Sequence, residues 1–329
     1  MYKKFNIATL VIVFAILLSL IVLVYIHRSV KGERTFSKEI IQTDTSDISA
    51  IIISSAIEGD YLRLYRSGNQ WMVMQNDKSF RADAMKANEI LNILANMKPE
   101  RVAAINDNKW KDFDVSDSTG ILVKIEKNKK IREQLMIGRF SYQQPPNTGE
   151  YNYYYQQRGR MLTYVRRIGD KSVYIVDGFL RMTFTKDLDS YRDKTLIRGI
   201  KDNWTKITFS YPADESFVLE KRNGIWAVNF TPADSNQVLN YLRTLENLSH
   251  AYFVNEEPQG ESSHKIRIEG NNMPAPIELI ACPVDTINKY TIRSSMNPDT
   301  WFSGAQGNLF DRVFVSKNTF IAAPATEKP

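Results

Sequence analysis

The sequence predicts an α+β protein: an N-terminal transmembrane helix followed by two tandem repeats of a hairpin–helix–antiparallel-strand unit. Three observations lead there. A long uncharged run stands near the N-terminus. Two segments of alternating apolar and polar residues end in the same Trp-x-Val pattern. Each of these is followed by an apolar stripe at helical spacing.

From Phe5 to Ile26 there is no charged residue, and Ile7 to Ile26 reads IATLVIVFAILLSLIVLVYI. Twenty residues at about 1.5 Å rise span about 30 Å, the thickness of a bilayer's hydrocarbon core. A cleaved signal peptide has a shorter core and ends at small residues. Here the run leads instead into His27, Arg28 and Lys31, so residues 1–26 are expected to stay as a signal anchor, with residues 5–26 in the lipid bilayer. Lys3 and Lys4 before the run nearly balance Arg28, Lys31 and Arg34 after it. The stub before the run is short, so the long C-terminal part is the one expected to be exported.

The chain of 329 residues is 43% apolar, enough for a sizeable core. Its formal charge of +6 is spread over 43 basic and 37 acidic residues, with no dense Lys/Arg block, so no nucleic-acid partner is expected. The single Cys282 forms no intramolecular disulfide, and its apolar setting predicts a buried thiol.

The internal repeat carries most of the information. YLRLYRSGNQWMV and SFVLEKRNGIWAV align Leu64 with Leu219, Trp71 with Trp226 and Val73 with Val228, each around a Gly-containing turn. Both read as β-hairpins. Ala82-Asp83 and Ala233-Asp234 then open helices. Their stripes are Ala87, Ile90, Leu91, Leu94 and Met97 in one copy, and Val238, Tyr241, Leu242, Leu245 and Leu248 in the other. Asp83 and Asp234 are expected to be N-caps rather than a catalytic carboxylate pair, and Gln237 places a capping-box residue behind Asp234. Trp71 and Trp226 are expected to pack in the core.

Later segments correspond more loosely: Ile121–Ile125 with Lys265–Ile268, Leu135–Gly138 with Glu278–Ala281, and Tyr164–Arg166 with Tyr290–Arg293. These are strand-like runs. The domain organisation that follows is an anchor (1–26), a polar stalk (27–47), a first repeat (48–184), a charged connector (185–203), a second repeat (204–315) and a disordered tail (316–329).

The paired Trp-x-Val hairpins, the paired Ala-Asp helix starts, the Tyr-Arg-Asp-Lys run at 191–194 and the Leu-Met-Ile-Gly turn at 135–138 together resemble a domain-of-unknown-function family, number 4340. The resemblance covers nearly all of the chain after the stalk. It implies a membrane-anchored, single-pass, extracytoplasmic protein of the cell inner (cytoplasmic) membrane, associated with ABC transporters of the gliding-motility auxiliary type. Permease and ATPase subunits would then be its partners. It supplies no catalytic residues to carry over.

No phosphate-binding loop, nucleophile elbow or metal-ligand spacing is present, so no enzyme activity, cofactor or metal is expected. His250 and His264, separated by a loop holding Glu256, Glu257 and Glu261, lack the spacing of a metal motif. The first repeat alone carries an insertion, residues 143–160, with Tyr151, Tyr153, Tyr154 and Tyr155 beside Arg158 and Arg160. Tyr and Arg are enriched at interface hot spots, so these six are the candidate partner-binding residues; packing of the tyrosines on a neighbouring sheet is the competing reading. The function expected is that of a non-enzymatic accessory or scaffold protein. The alternative is an envelope polysaccharide-binding module or a carboxylate-dependent glycan hydrolase, whose two acids need no fixed spacing in sequence.

Overall fold

A computed structural model of the chain describes residues 13–22, 39–55, 59–144, 159–284 and 289–321. The first sheet contains β1 (Ala50–Ser55), β2 (Tyr61–Ser67), β3 (Gln70–Gln75), β4 (Lys78–Arg81), β5 (Arg101–Ala104), β6 (Ile121–Lys127), β7 (Lys130–Gln143), β8 (Arg160–Arg167) and β9 (Val173–Asp177). The second contains β10 (Trp204–Ser210), β11 (Phe217–Arg222), β12 (Ile225–Val228), β13 (Thr231–Pro232), β14 (Phe253–Val254), β15 (His264–Gly270), β16 (Ile277–Pro283), β17 (Tyr290–Ser294) and β18 (Asn297–Ser303). The sheets share one strand order: β4-β3-β2-β1-β6-β7-β8-β9-β5 and β13-β12-β11-β10-β15-β16-β17-β18-β14. All neighbouring strands are antiparallel. The helices are α1 (residues 13–22), α2 (Ala84–Ala95), α3 (Leu180–Thr183), α4 (Ser235–Leu245) and α5 (Leu309–Val313).

This corrects the predicted fold class. The described residues are mostly β, two nine-stranded antiparallel sheets with few helices, and not the predicted α+β fold; the predicted transmembrane helix is not found among them. The reason lies in the two periodicities. An apolar stripe of 11 or 12 residues at helical spacing stands out, whereas strands of four to seven residues each show only two or three alternations. Of the predicted anchor, residues 13–22 are described, and they are helical. Among the described residues no helix is long and apolar enough to cross a membrane. The rest of the predicted anchor, and residues 27–38 of the stalk, lie outside the described residues.

Each sheet buries one face under one helix. In the first, Ile51 and Ile53 of β1, Leu62 and Leu64 of β2 and Val123 and Ile125 of β6 meet Ala87, Ile90 and Leu94 of α2. In the second, Ile207, Phe209, Leu219 and Ile266 meet Val238, Tyr241, Leu242 and Leu245 of α4. The hairpins register Leu64 against Val73 and Leu219 against Val228. Their two-residue turns hold Gly68 at φ +58° and Asn223-Gly224 at φ +49° and +85°, values suited to Gly and Asn.

Both aspartates are N-caps. Asp83 accepts from the amides of Met85 (2.8 Å) and Lys86 (3.3 Å), and Asp234 from those of Asn236 (2.8 Å) and Gln237 (3.1 Å). No capping box closes at Gln237, because the backbone N–H of Asp234 donates to the Phe320 carbonyl.

Three segments read as stalk, connector and tail are partly core. Ile40 and Ile41 are buried in the first sheet's core, and the buried Glu133 carboxylate beside them accepts from the amides of Gln42 and Thr43, both at 2.7 Å. Tyr191, Leu196 and Ile197 are buried, and so is Phe320. Residues 322–329 of the predicted tail lie outside the described residues.

Candidate functional site

The segment from Tyr191 to Ile197 stitches the two sheets together. The Ala82 and Arg192 backbones form a bridge at the edge of the first sheet; Asp83 N donates to Tyr191 O, and Asp193 N to Arg81 O. A few residues on, Leu196 N and Ile197 N both donate to Leu248 O, and His250 N donates to Lys194 O. The chain thus passes from the β4 edge of one sheet directly onto the turn after α4 in the other.

Side chains reinforce the seam. Tyr191 donates its hydroxyl to the carbonyls of Thr183 (2.7 Å) and Thr185 (2.9 Å), and burial pushes its pKa well up. The fully buried Arg192 guanidinium lies between two rings, 3.7 Å from Phe80 of the first sheet and 3.9 Å from Phe253 of the second. Its Nη1 donates to Asn255 Oδ1 at 2.7 Å and meets Asp189 at 3.3 Å. Nε and Nη2 have no partner among the described residues. Arg81 Nη1 donates to the Met296 carbonyl at 2.6 Å, a second tie across the seam.

Beside the seam opens a cleft of about 540 Å³. Its walls carry Arg81, Lys194 and Arg198 as cations and Asp83 and Asp193 as anions, with Asn69, Gln70, Asn247 and Ser249 as neutral polar groups. This volume falls in the ordinary range for ligand pockets, and a junction between two folding units is a common place for one.

A second feature is the root of the β7–β8 hairpin. A register shift between Ile137 and Phe140 re-aims β7 there. Residues 135–138 are buried, whereas Phe140 is 47% exposed. Gly138 passes so close to the Phe113 carbonyl that any Cβ would collide with it. Phe140 packs on Phe179 with ring centres 4.7 Å apart, and Met182 on α3, 69% exposed, stands one turn further on, its amide donating to the Phe179 carbonyl at 3.2 Å. Thr163 fixes α3 in place: its hydroxyl donates to Gly178 O at 2.6 Å and accepts from Leu180 N at 3.1 Å.

Of the six predicted partner-binding residues, Tyr151, Tyr153, Tyr154, Tyr155 and Arg158 lie outside the described residues. Arg160 opens β8 and is a strut of the hairpin root, paired with Glu100 and with Asp177 at 2.9 Å. The surface of Phe140, Phe179 and Met182 was missed from sequence, because only the bulge and α3 bring those residues together.

His250 and His264 are not brought together. His250 packs against Tyr252 and Phe302, and His264 sits among Tyr211, Tyr290, Phe310 and Phe314. Burial lowers the pKa of both. Cys282 is buried, with its pKa raised by the same cause. Among the described residues no three His, Cys, Asp or Glu side chains gather as metal ligands would.

A family model described as a domain of unknown function (DUF4340) matches residues 71–265, more than half of the chain. The match spans the first hairpin's Trp71, the segment from Tyr191 to Ile197 and the second sheet's β10 to β14, ending at the start of β15. No curated protein and no solved structure matches the chain.

Proposed function

The chain belongs to the DUF4340 family, and from that premise we propose that it is a non-enzymatic accessory or scaffold protein acting through protein contacts at a membrane. The observation that carries this reading is the pair of exposed apolar side chains Phe140 and Met182, with the half-buried Phe179 against Phe140, at the root of the β7–β8 hairpin. Aromatic residues and Met are enriched in protein interfaces, and a rigid sheet presents them at low entropic cost. In the sequence, residues 145–158 follow β7 and are rich in tyrosine, a composition of the same kind.

The uncharged segment from Phe5 to Ile26 supports a position at the cytoplasmic membrane, with the two sheets on its outer side. The partners in this reading are the permease and ATPase subunits of an ABC-type transporter of the cell envelope.

The test is cross-linking of the tagged full-length chain in its native membrane, mild-detergent purification and mass spectrometry, in parallel with the F140S/M182S variant. Transporter subunits recovered with the parent chain and lost with the variant support the reading. Recovery of the parent chain alone sinks it, as does equal recovery with a folded variant.

A further inference from the structure

We propose that the cleft between the two sheets binds an extended acidic peptide segment. The charges on its walls are unequally satisfied. Asp83 is occupied by the amides of Met85 and Lys86, and Asp193 accepts from Thr195 N at 3.0 Å. Both carboxylates are thus already neutralised in part by backbone dipoles. Arg81, Lys194 and Arg198 form no ion pair among the described residues; Arg81 donates to the Met296 carbonyl at 2.6 Å and Arg198 to Thr195 Oγ1 at 3.4 Å, both neutral acceptors that leave the positive charge uncompensated. Three cations against two carboxylates leave the lining with a net positive charge, and a negatively charged ligand answers it.

The neutral walls choose between chemistries. Sugar recognition uses an exposed aromatic face, and the one aromatic residue lining the cleft, Trp71, is 8% exposed and already covered by Arg66 at 4.9 Å. The amide and hydroxyl groups of Asn69, Gln70, Asn247 and Ser249 suit instead the alternating N–H and C=O groups of a peptide backbone. The cleft shares no residue with the Phe140–Met182 surface, so loss of one function leaves the other in place.

The experiment is a fluorescence-anisotropy titration of the full-length chain in mild detergent. Probes are a labelled Glu-rich decapeptide, a Lys-rich decapeptide and an acidic oligosaccharide. The expected result is saturable binding of the Glu-rich peptide alone, weakened by salt. K194Q/R198Q is expected to weaken it roughly tenfold, as the sum of two partly exposed charge contacts. R222Q, which removes a cation already paired with Glu220, is expected to leave it unchanged. Arg198 is exposed, so R198Q alone guards against a folding defect and is expected to give part of the loss. Equal binding to the parent chain and both cleft variants overturns the proposal, and so does preference for the oligosaccharide.

Discussion

Arg192 lies 3.7 Å from the centre of the Phe80 ring, and none of its side chain reaches solvent. Phe253 closes the other side, so one cation joins an aromatic ring from each sheet. Desolvated cation–π contacts are worth about 2 kcal/mol each. Against them stands the cost of leaving Nε and Nη2 without partners, about 1–3 kcal/mol. The contacts win, because a buried arginine removed outright also leaves a cavity between the rings.

R192A is accordingly expected to lose about 2–3 kcal/mol in urea unfolding, whereas R192M, which fills the slot without orphaned donors, loses about 1 kcal/mol or less. If R192A unfolds within error of the parent chain, the guanidinium does not hold the seam.

Gly138 should not tolerate a methyl group. The obstacle is the Phe113 carbonyl oxygen, a backbone atom that cannot swing aside as a side chain would. G138A is expected to cost about 1–3 kcal/mol by overpacking and to disturb the register of β7 with β8. Chemical denaturation measures the first, and amide exchange at Phe140 and Ser141 the second. An unchanged midpoint would falsify the close approach.

Stability should fall on mild acidification. His250 and His264 both have pKa values lowered from 6.5 by burial, and Nε2 of His250 has no partner to accept or share a proton. The unfolded chain therefore takes up protons first as pH drops below about 6.5. The contribution of the neutral rings is whole above that value and is lost as pH falls toward the folded values. Urea midpoints at pH 7.5 and 5.5 should differ in the parent chain and draw together in H250Q/H264Q. A steeper dependence in the double variant contradicts the assignment.

Much of this was legible where the chemistry is local. Leu64 and Val73, like Leu219 and Val228, are hairpin partners because alternation and a Gly turn specify the register within a dozen residues. Asp83 and Asp234 cap helices because an aspartate before an apolar stripe has its acceptor in place. What was not legible depends on distant partners. Tyr-Arg-Asp-Lys at 191–194 reads as a charged connector, and only Phe80 and Phe253, remote in sequence, make Arg192 a buried residue. The Phe140–Met182 surface depends likewise on a bulge and a four-residue helix. The tyrosine-rich segment drew attention by composition, yet its tyrosines lie outside the described residues.

Phe230 is a local rule broken in plain view. It occupies the second place of the two-residue turn between β12 and β13 at φ +80°, where Gly is the usual choice, and it is 74% exposed. A left-handed backbone costs a bulky residue about 1–2 kcal/mol. The Arg222 guanidinium 4.3 Å from its ring returns about 0.5–1 kcal/mol at such an exposed site. The strain is the larger number, so F230G is expected to stabilise the chain by about 0.5–1 kcal/mol in urea unfolding. A destabilised F230G would mean that the ring's contact with Arg222 is worth more than the strain costs.

Phe320 tests whether the C-terminal segment is structural. Its ring is fully buried against Phe209, Phe217 and Tyr241, with centres 6.2, 6.1 and 5.2 Å away. Its carbonyl accepts from Asp234 N at 2.9 Å, just where Tyr191 serves Asp83 in the first sheet. The second helix start therefore depends on a residue that follows every strand of its own sheet. F320A should cost about 3–5 kcal/mol, the usual loss for a buried phenylalanine. F320Y has no room for its hydroxyl unless a partner is found, so it should fall between F320A and the parent. A chain stopped after Ser316 should lose the protection of the Asn236 and Gln237 amides in hydrogen exchange before that of Met85 and Lys86. Equal protection at the two helix starts would show that the segment is an appendage and not the closing piece of the second core.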